Sequence, residues 1–191
     1  LFPRTQRMEE FYKPYAFAAR AHKGQVRKGT QIPYLTHLIT TMNYCIQLTN
    51  DRNVLTAAIL HDTIEDTEVT YEDIHEEFGA KVASYVDAET EDKRQELPAK
   101  DTWEVRKRET IEHLRHASGE VKMLVLSDKT ANAESMLREW RRKGDAIWSK
   151  FNQPDKEKQA WYYRSCRDAL QEFTDTGVMK CFEKYIGELF G

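Results

Sequence analysis

The adjacent residues His61 and Asp62 are the first place in this sequence where residue types and spacing indicate chemistry. Apolar residues at positions 55, 58 and 59 precede Asp62 at the spacing of one helix face, so Asp62 is expected to be buried. A buried carboxylate without a partner costs several kcal/mol or loses its charge. A metal, a base or a hydrogen-bond network is therefore predicted beside Asp62. Because adjacent helix positions differ by about 100°, His61 and Asp62 can reach one ion only from the rim of that face.

Asp128 and His37 extend this candidate site to two further helices. Apolar residues at positions 121, 124 and 125 place Asp128 on a buried helix face by the same spacing. His37 lies on the helix that precedes His61, shortly after Pro33. Two histidines and two aspartates form a mixed nitrogen and oxygen set, which suits manganese, iron or zinc better than a dedicated calcium or magnesium site.

Glu65 and Asp66 lie one helical turn beyond His61 and Asp62. A carboxylate pair beside a metal site can orient a water molecule and accept its proton. This spacing is typical of a hydrolytic site. The simpler alternative is that each histidine is a hydrogen-bonded core residue, since a single His-Asp dipeptide often occurs by chance.

Helical periodicity runs through the whole sequence and predicts an all-α fold. The chain has 191 residues, 40% of them hydrophobic and 32% charged, which fits one compact domain over 1–191. No sustained period-2 alternation favours a sheet. A charged stretch at 90–101 is expected to be an exposed loop. The predicted helices cover about 5–22, 33–48, 54–62, 70–78, 102–116, 121–132, 156–173 and 176–190.

Charge, apolar content and cysteine count limit the partners and the compartment. A net charge of −3 gives no general footprint for DNA or RNA. No stretch approaches the roughly 18 apolar residues of a membrane span. The three cysteines are widely spaced, which favours neither a disulfide framework nor a zinc cluster. These features predict a cytoplasmic protein that binds no DNA, RNA or membrane, and homo-oligomerisation stays open.

Three sequence blocks resemble the HD hydrolase domain of RelA/SpoT proteins, and especially their stand-alone small alarmone hydrolases of the metazoan SpoT homologue type. The resemblance covers about 16–136, and the helices at 156–190 complete the domain. The blocks are AARAHKGQVRKGTQIPYLTH at 18–37, LHDTIEDTEVTYEDIHEEFGAKVA at 60–83 and VKMLVLSDKTAN at 121–132.

The resemblance implies a compact helical HD-domain fold and one Mn2+ per chain. It further implies that the enzyme removes pyrophosphate from the ribose 3′ position of (p)ppGpp, leaving GDP or GTP. The implied metal ligands are His37, His61, Asp62 and Asp128. Glu65 and Asp66 would serve the nucleophilic water.

The resemblance also implies substrate contacts. Arg27 and Lys28 would contact the guanine and ribose, Asn132 the nucleotide from the opposite wall, and Tyr162 lies on a helix that the family places near the nucleotide. A polyphosphate also needs cationic donors, and Lys129 is a candidate from its own chemistry.

Departures from the family pattern keep alternatives open. Leu38 stands where the family usually has proline, Lys129 replaces an arginine and Ala131 a histidine. The third block therefore leaves base recognition less defined than catalysis. The alternatives are an HD phosphohydrolase acting on another nucleotide, such as (p)ppApp or NADPH, and a non-catalytic nucleotide-binding regulator or antitoxin. At this length the chain is expected to act as a hydrolase only.

Overall fold

The computed structural model describes residues 4–94 and 96–191, with side chains from residue 12 onward. The all-α prediction is confirmed, since the described residues form α-helices, two short 3-10 helices and one isolated bridge between Val26 and Pro33. None of these helices combines the length and apolar character needed to cross a bilayer.

The α-helices are α1 Arg4–Ala21, α2 Leu35–Cys45, α3 Arg52–Leu60, α4 Thr63–Asp66, α5 Tyr71–Phe78, α6 Ala80–Glu89, α7 Ala99–His116, α8 Gly119–Lys143, α9 Lys156–Ala169 and α10 Gly177–Phe190.

Side-chain caps fix where several helices begin. Thr70 followed by Asp73 in the sequence predicts a capping box at the start of α5. The box is present, because the Asp73 N–H donates to Thr70 Oγ1 at 3.2 Å and the Thr70 N–H donates to Asp73 Oδ2 at 2.8 Å. Asp51 accepts the N–H of Asn53 at the start of α3. Such caps satisfy backbone donors that have no partner inside the helix.

Helix α8 is the central element and contacts α2, α3, α6 and α10. It runs through Lys143, well beyond the predicted end at about 132. The residues at its C-terminal end stabilise these additional turns. Arg141, Arg142 and Lys143 complement the negative end of the helix dipole, and Gly144 takes a φ of +59° at the cap.

Two groups of buried apolar side chains meet at α8. One, the N-terminal cluster, is formed by α1, α2, α3, α5 and α6 together with Leu124 of α8. The other, the C-terminal cluster, is formed by α7, α8, α9, α10 and the 3-10 helices, with Phe182 fully buried in it. Any functional group on the middle of α8 is therefore held between two packed layers.

The loop predicted at 90–101 is confirmed over 90–94 and 96–98, but α7 begins earlier than expected, at Ala99. The expectation that this loop is simply exposed is wrong. The Glu91 side chain is only 13% exposed because it pairs with cationic residues of α7. A count of charged residues could not reveal this, since ion pairs with α7 allow the carboxylate to be buried.

Truncation of Leu124 tests the central role of α8. Leu124→Ala should lower the free energy of unfolding by about 2–5 kcal/mol, because it deletes a fully buried side chain where α8 meets the N-terminal cluster. Urea unfolding followed by circular dichroism measures this. Val105→Ala removes a 45% exposed side chain on α7 and should stay within about 0.5 kcal/mol of the parent. Equal losses in the two variants would contradict this view of α8.

Candidate metal centre and active site

The four predicted metal ligands converge from three parts of the chain. His37 lies on α2, His61 and Asp62 directly follow α3, and Asp128 lies in the middle of α8. His37, His61 and Asp128 are at most 5% exposed, as the helix-face argument predicts for Asp128. The prediction that Asp62 is buried on a helix face is wrong, because Asp62 lies beyond the end of α3 and its side chain is 17% exposed. Packing of α2 and α3 against α8 brings these side chains together.

A break in the helix lets the neighbours His61 and Asp62 face the same point. The sequence predicted a helix continuing through Asp62, and this is wrong, because α3 ends at Leu60. Asp62 takes φ −92° and ψ −1° and precedes α4. Thr63 supports the break by donating its hydroxyl to the Leu60 carbonyl at 2.6 Å. The ψ of Asp62 departs from regular helix geometry, in which adjacent side chains are separated by about 100°.

The ligand atoms are close enough to share one cation. His61 Nε2 lies 3.0 Å from Asp62 Oδ2 and 3.5 Å from Asp128 Oδ1. His37 Nε2 lies 3.0 Å from Asp128 Oδ1 and 3.5 Å from Asp62 Oδ2. The ligand atoms of His37, His61 and Asp128 all lie within 4.8 Å of one another.

The hydrogen bonding of His61 fits a metal ligand. Its Nδ1 donates to the Ala58 carbonyl oxygen at 3.0 Å, so Nε2 is the ring atom that faces the carboxylates and that would bind a cation in the neutral imidazole. This Nε2 is buried and lies 3.0 Å from Asp62 Oδ2, but it has no aligned hydrogen-bond partner among the described residues. A buried polar atom without a partner is rare and requires an explanation. A cation held by the two imidazoles and two carboxylates would provide one.

The electrostatics of the site favour a positive charge. Burial lowers the pKa of His61, but Asp62 and Asp128 outweigh it and hold that pKa well above its usual value. Burial raises the pKa of Asp62, but the neighbouring histidines outweigh it and hold that pKa well below its usual value. A divalent cation would supply the positive charge that these carboxylates favour.

Hydrogen bonds orient both carboxylates. The Tyr34 hydroxyl donates to Asp62 Oδ2 at 2.7 Å. Asp128 accepts from Asn132 Nδ2 at 2.7 Å and from Lys129 Nζ at 2.6 Å. The i, i+4 spacing of Asp128 and Asn132 could have revealed their contact. Sequence reasoning missed Tyr34, because its partner lies 28 residues away.

Glu65 and Asp66 lie on the short helix α4 at the edge of the ligand group. The Asp66 N–H donates to the Asp62 carbonyl at 2.9 Å, which confirms the predicted one-turn spacing. Burial and the nearby negative charge of Asp62 raise the pKa of Glu65. Lys93 was missed by sequence reasoning, yet its Nζ donates to the Glu65 carbonyl at 3.0 Å and forms an ion pair with Asp66.

Two adjoining cavities open onto these groups. A cavity of about 190 Å³ is lined by three of the four candidate ligands, His37, Asp62 and Asp128, and by Glu65 and Asp66. A larger cavity of about 410 Å³ lies beside it and has apolar and cationic walls. The residues lining both cavities are Glu65, Glu91, Lys107, Lys129, Asn132 and Tyr162. Together the cavities join a candidate reaction centre to a space for a larger substrate.

The predicted substrate contacts divide into two groups. Lys129, Asn132 and Tyr162 line both cavities, and Lys28 lines the larger one. Arg27 instead donates to Asn132 Oδ1 at 2.7 Å, and its guanidinium lies 5.2 Å from the Tyr34 ring centre. In this structure Arg27 therefore supports a cavity residue directly.

The structure adds two charged residues that the sequence reasoning did not find. Glu89 lines the smaller cavity with one carboxylate oxygen lacking a hydrogen-bond partner, and burial raises its pKa to about 7. Its spacing after Val82 and Val86 is the same pattern that pointed to Asp62. Lys107 is the second, and its Nζ lies 4.9 Å from the Tyr162 ring centre.

The sequence of this chain is similar to an HD-domain family model and to several pyrophosphohydrolases. A family model described as HD domain matches residues 15–155. A guanosine-3′,5′-bis(diphosphate) 3′-pyrophosphohydrolase, MESH1 of Danio rerio, is 37% identical over 126 residues, which cover 64% of this chain and 66% of that protein. A protein of the same enzyme name from Aquifex aeolicus is 36% identical over 143 residues, or 72% of this chain and 20% of that protein.

A solved structure of another protein is similar to this chain in three dimensions. It is a metazoan orthologue of SpoT that hydrolyses ppGpp, and it superimposes with a TM-score of 0.71 at 26% identity. The superposition covers 100% of this chain and 96% of the other. The similarity therefore includes the C-terminal helices α9 and α10, beyond the region matched by the family model.

Removal of one candidate ligand tests the metal centre. His61→Ala should weaken Mn2+ binding by at least about 100-fold, since loss of even an indirect supporting group costs about 10–100-fold. Isothermal titration calorimetry of the metal-free protein with Mn2+ measures the affinity. His75→Ala, on the exposed side of α5, is the matched control and should bind as the parent does. Unchanged stoichiometry and affinity in His61→Ala would rule out this ligand assignment.

Proposed function

This chain belongs to the HD-domain family, and we propose that it is a Mn2+-dependent hydrolase that removes the 3′-pyrophosphate of (p)ppGpp. The observation that carries this proposal is the meeting of two histidines and two aspartates at one buried point beside Glu65. The names of the relatives support the substrate class. The proposed unit is one hydrolase domain over 1–191.

His37, His61, Asp62 and Asp128 would hold the metal. Their mixed nitrogen and oxygen donors suit Mn2+. When bound, a divalent cation supplies Lewis acidity, which lowers the pKa of water beside it and polarises a phosphoryl oxygen. Tyr34 and Asn132 keep the two carboxylates oriented through hydrogen bonds of 2.7 Å each.

Glu65 is the proposed proton acceptor, with Asp66 as its partner in orienting water. The raised pKa of Glu65 improves its match to a base working near neutral pH. In the reaction, the bond between the ribose 3′ oxygen and phosphorus breaks. The oxygen of water joins the released pyrophosphate, and a proton returns to the ribose oxygen, leaving GDP or GTP.

The larger cavity is the proposed nucleoside site. Tyr162 offers an aromatic ring there, and Lys28 and Lys129 offer positive charge for phosphates. Asn132 lies between the two cavities, where it can bind the nucleotide while it supports Asp128. Arg27 would fix Asn132 and reach the guanine and ribose from the adjacent loop.

We further propose a cytoplasmic location. The free thiols of Cys45, Cys166 and Cys181 fit a reducing compartment.

Substitution of Glu65 tests the proposed base. Glu65→Gln should reduce kcat for ppGpp by about 10²–10⁴-fold, because the amide cannot accept the proton. Pyrophosphate release by the Mn2+-loaded protein measures the rate. Glu76→Gln, on the exposed side of α5, is the control and should keep the full rate. A fully active Glu65→Gln enzyme would exclude Glu65 as the base.

A substrate panel tests the nucleotide. The wild-type protein should release pyrophosphate from ppGpp faster than it hydrolyses ppApp or NADPH at equal concentration. Lys129 and Ala131, which depart from the family pattern, are the reason to include the adenine nucleotides. Preference for ppApp or NADPH would reassign the substrate within the phosphohydrolases. Tight nucleotide binding without turnover of any of them would favour the non-catalytic regulator.

A further inference from the structure

Residues 90–94, here called the clamp segment, lie against the proposed catalytic acids. The backbone N–H of Glu91 donates to Glu65 Oε2 at 3.1 Å. Lys93 Nζ lies 3.5 Å from Glu65 Oε1 and forms an ion pair with Asp66. Among the residues that the structure describes, the hydrogen bond and the ion pair of the Glu65 carboxylate both come from this segment. The orientation of Glu65 therefore depends on where the clamp segment is held.

The side chain of Glu91 attaches the clamp segment to α7. It pairs with Arg106, lies 3.1 Å from Lys107 Nζ and accepts a hydrogen bond of 3.1 Å from the Thr110 hydroxyl. The Glu91 and Arg106 side chains are 13% and 7% exposed. Loss of one partner from a buried ion pair leaves an uncompensated charge, so this attachment is strong.

The other described ion pair between the clamp segment and α7 is weaker. Arg94 pairs with Glu109 at 2.7 Å, but the Glu109 side chain is 55% exposed. Exposed pairs contribute about 0–1 kcal/mol because solvent screens them. Glu91 is therefore the main charged anchor between the segment and α7.

We propose that Glu91 is a positioning residue, which fastens the clamp segment to α7 and so holds Glu65 and Asp66 in the orientation that hydrolysis needs. The inference rests on the proposed function, since it takes Glu65 as the base. Catalytic groups must be held within about 0.5 Å of the productive geometry. Glu65 lies on a helix of four residues, Thr63–Asp66, which needs outside support to reach that accuracy.

Glu91→Gln tests the proposal, since it keeps the shape of the side chain and removes the charge. In the metal-loaded enzyme, kcat should fall by about 10–100-fold, the range for groups that orient a functional residue. KM and the affinity for Mn2+ should stay unchanged, because Glu91 acts on the step that uses Glu65. Glu112→Gln, on the exposed side of α7, should behave as the parent. An unchanged kcat in Glu91→Gln would overturn the proposal.

A double substitution separates positioning from a general effect on folding. If Glu91 acts through Glu65, Glu91→Gln should cause no further loss in an enzyme that already carries Glu65→Gln. The same fold loss in both backgrounds would show that Glu91 does not work through Glu65.

Hydrogen exchange tests the anchor without any activity. The backbone amides of 91–94 should exchange faster in Glu91→Gln, whereas those of α5 should not change. Equal exchange in the two proteins would refute the clamp whatever the substrate. By contrast, a wild-type protein that leaves ppGpp intact would refute the proposed function and would not alter the exchange result.

Discussion

Two carboxylates, the buried Asp128 and the half-buried Asp62, face two buried imidazoles, and the surrounding structure must balance the charge that they place inside the protein. The four side chains approach within 3.0–3.5 Å of one another. Such a group would be costly if any member lacked a partner. Hydrogen bonds from Tyr34 to Asp62 and from Asn132 to Asp128, together with the ammonium of Lys129, stabilise the two carboxylates. The unpartnered Nε2 of His61 leaves room for a cation to complete the balance.

Helix α8 links this charge balance to the fold. Its middle carries Asp128, Lys129 and Asn132, so one rigid element supplies a candidate metal ligand and two further cavity residues. Its apolar side chains belong to both hydrophobic clusters, which fixes the helix from two sides. Close packing of this kind restricts the movement of the functional groups and keeps them near one geometry.

The edge of the site is built differently from its centre. Glu65 and Asp66 lie on a short helix and take their ion pairs from Lys93 of a loop. That loop is attached to α7 through ion pairs of Glu91, whose side chain is 13% exposed. The centre is thus fixed by helix packing and the edge by ion pairs. The two parts differ in physical origin and respond to different substitutions.

The sequence by itself determined the helical fold class, the capping box of α5 and the buried helix face that carries Asp128. These features depend on residues within a few positions of one another, so local spacing reports them. Together with the motif blocks it also indicated His37, His61, Glu65 and Asp66 as members of one site. Only the tertiary structure decided the break after Leu60, the full length of α8 and the contacts of Tyr34, Glu91 and Lys93. Those contacts join residues 15–28 positions apart, and their energies depend on burial that only the packed helices create.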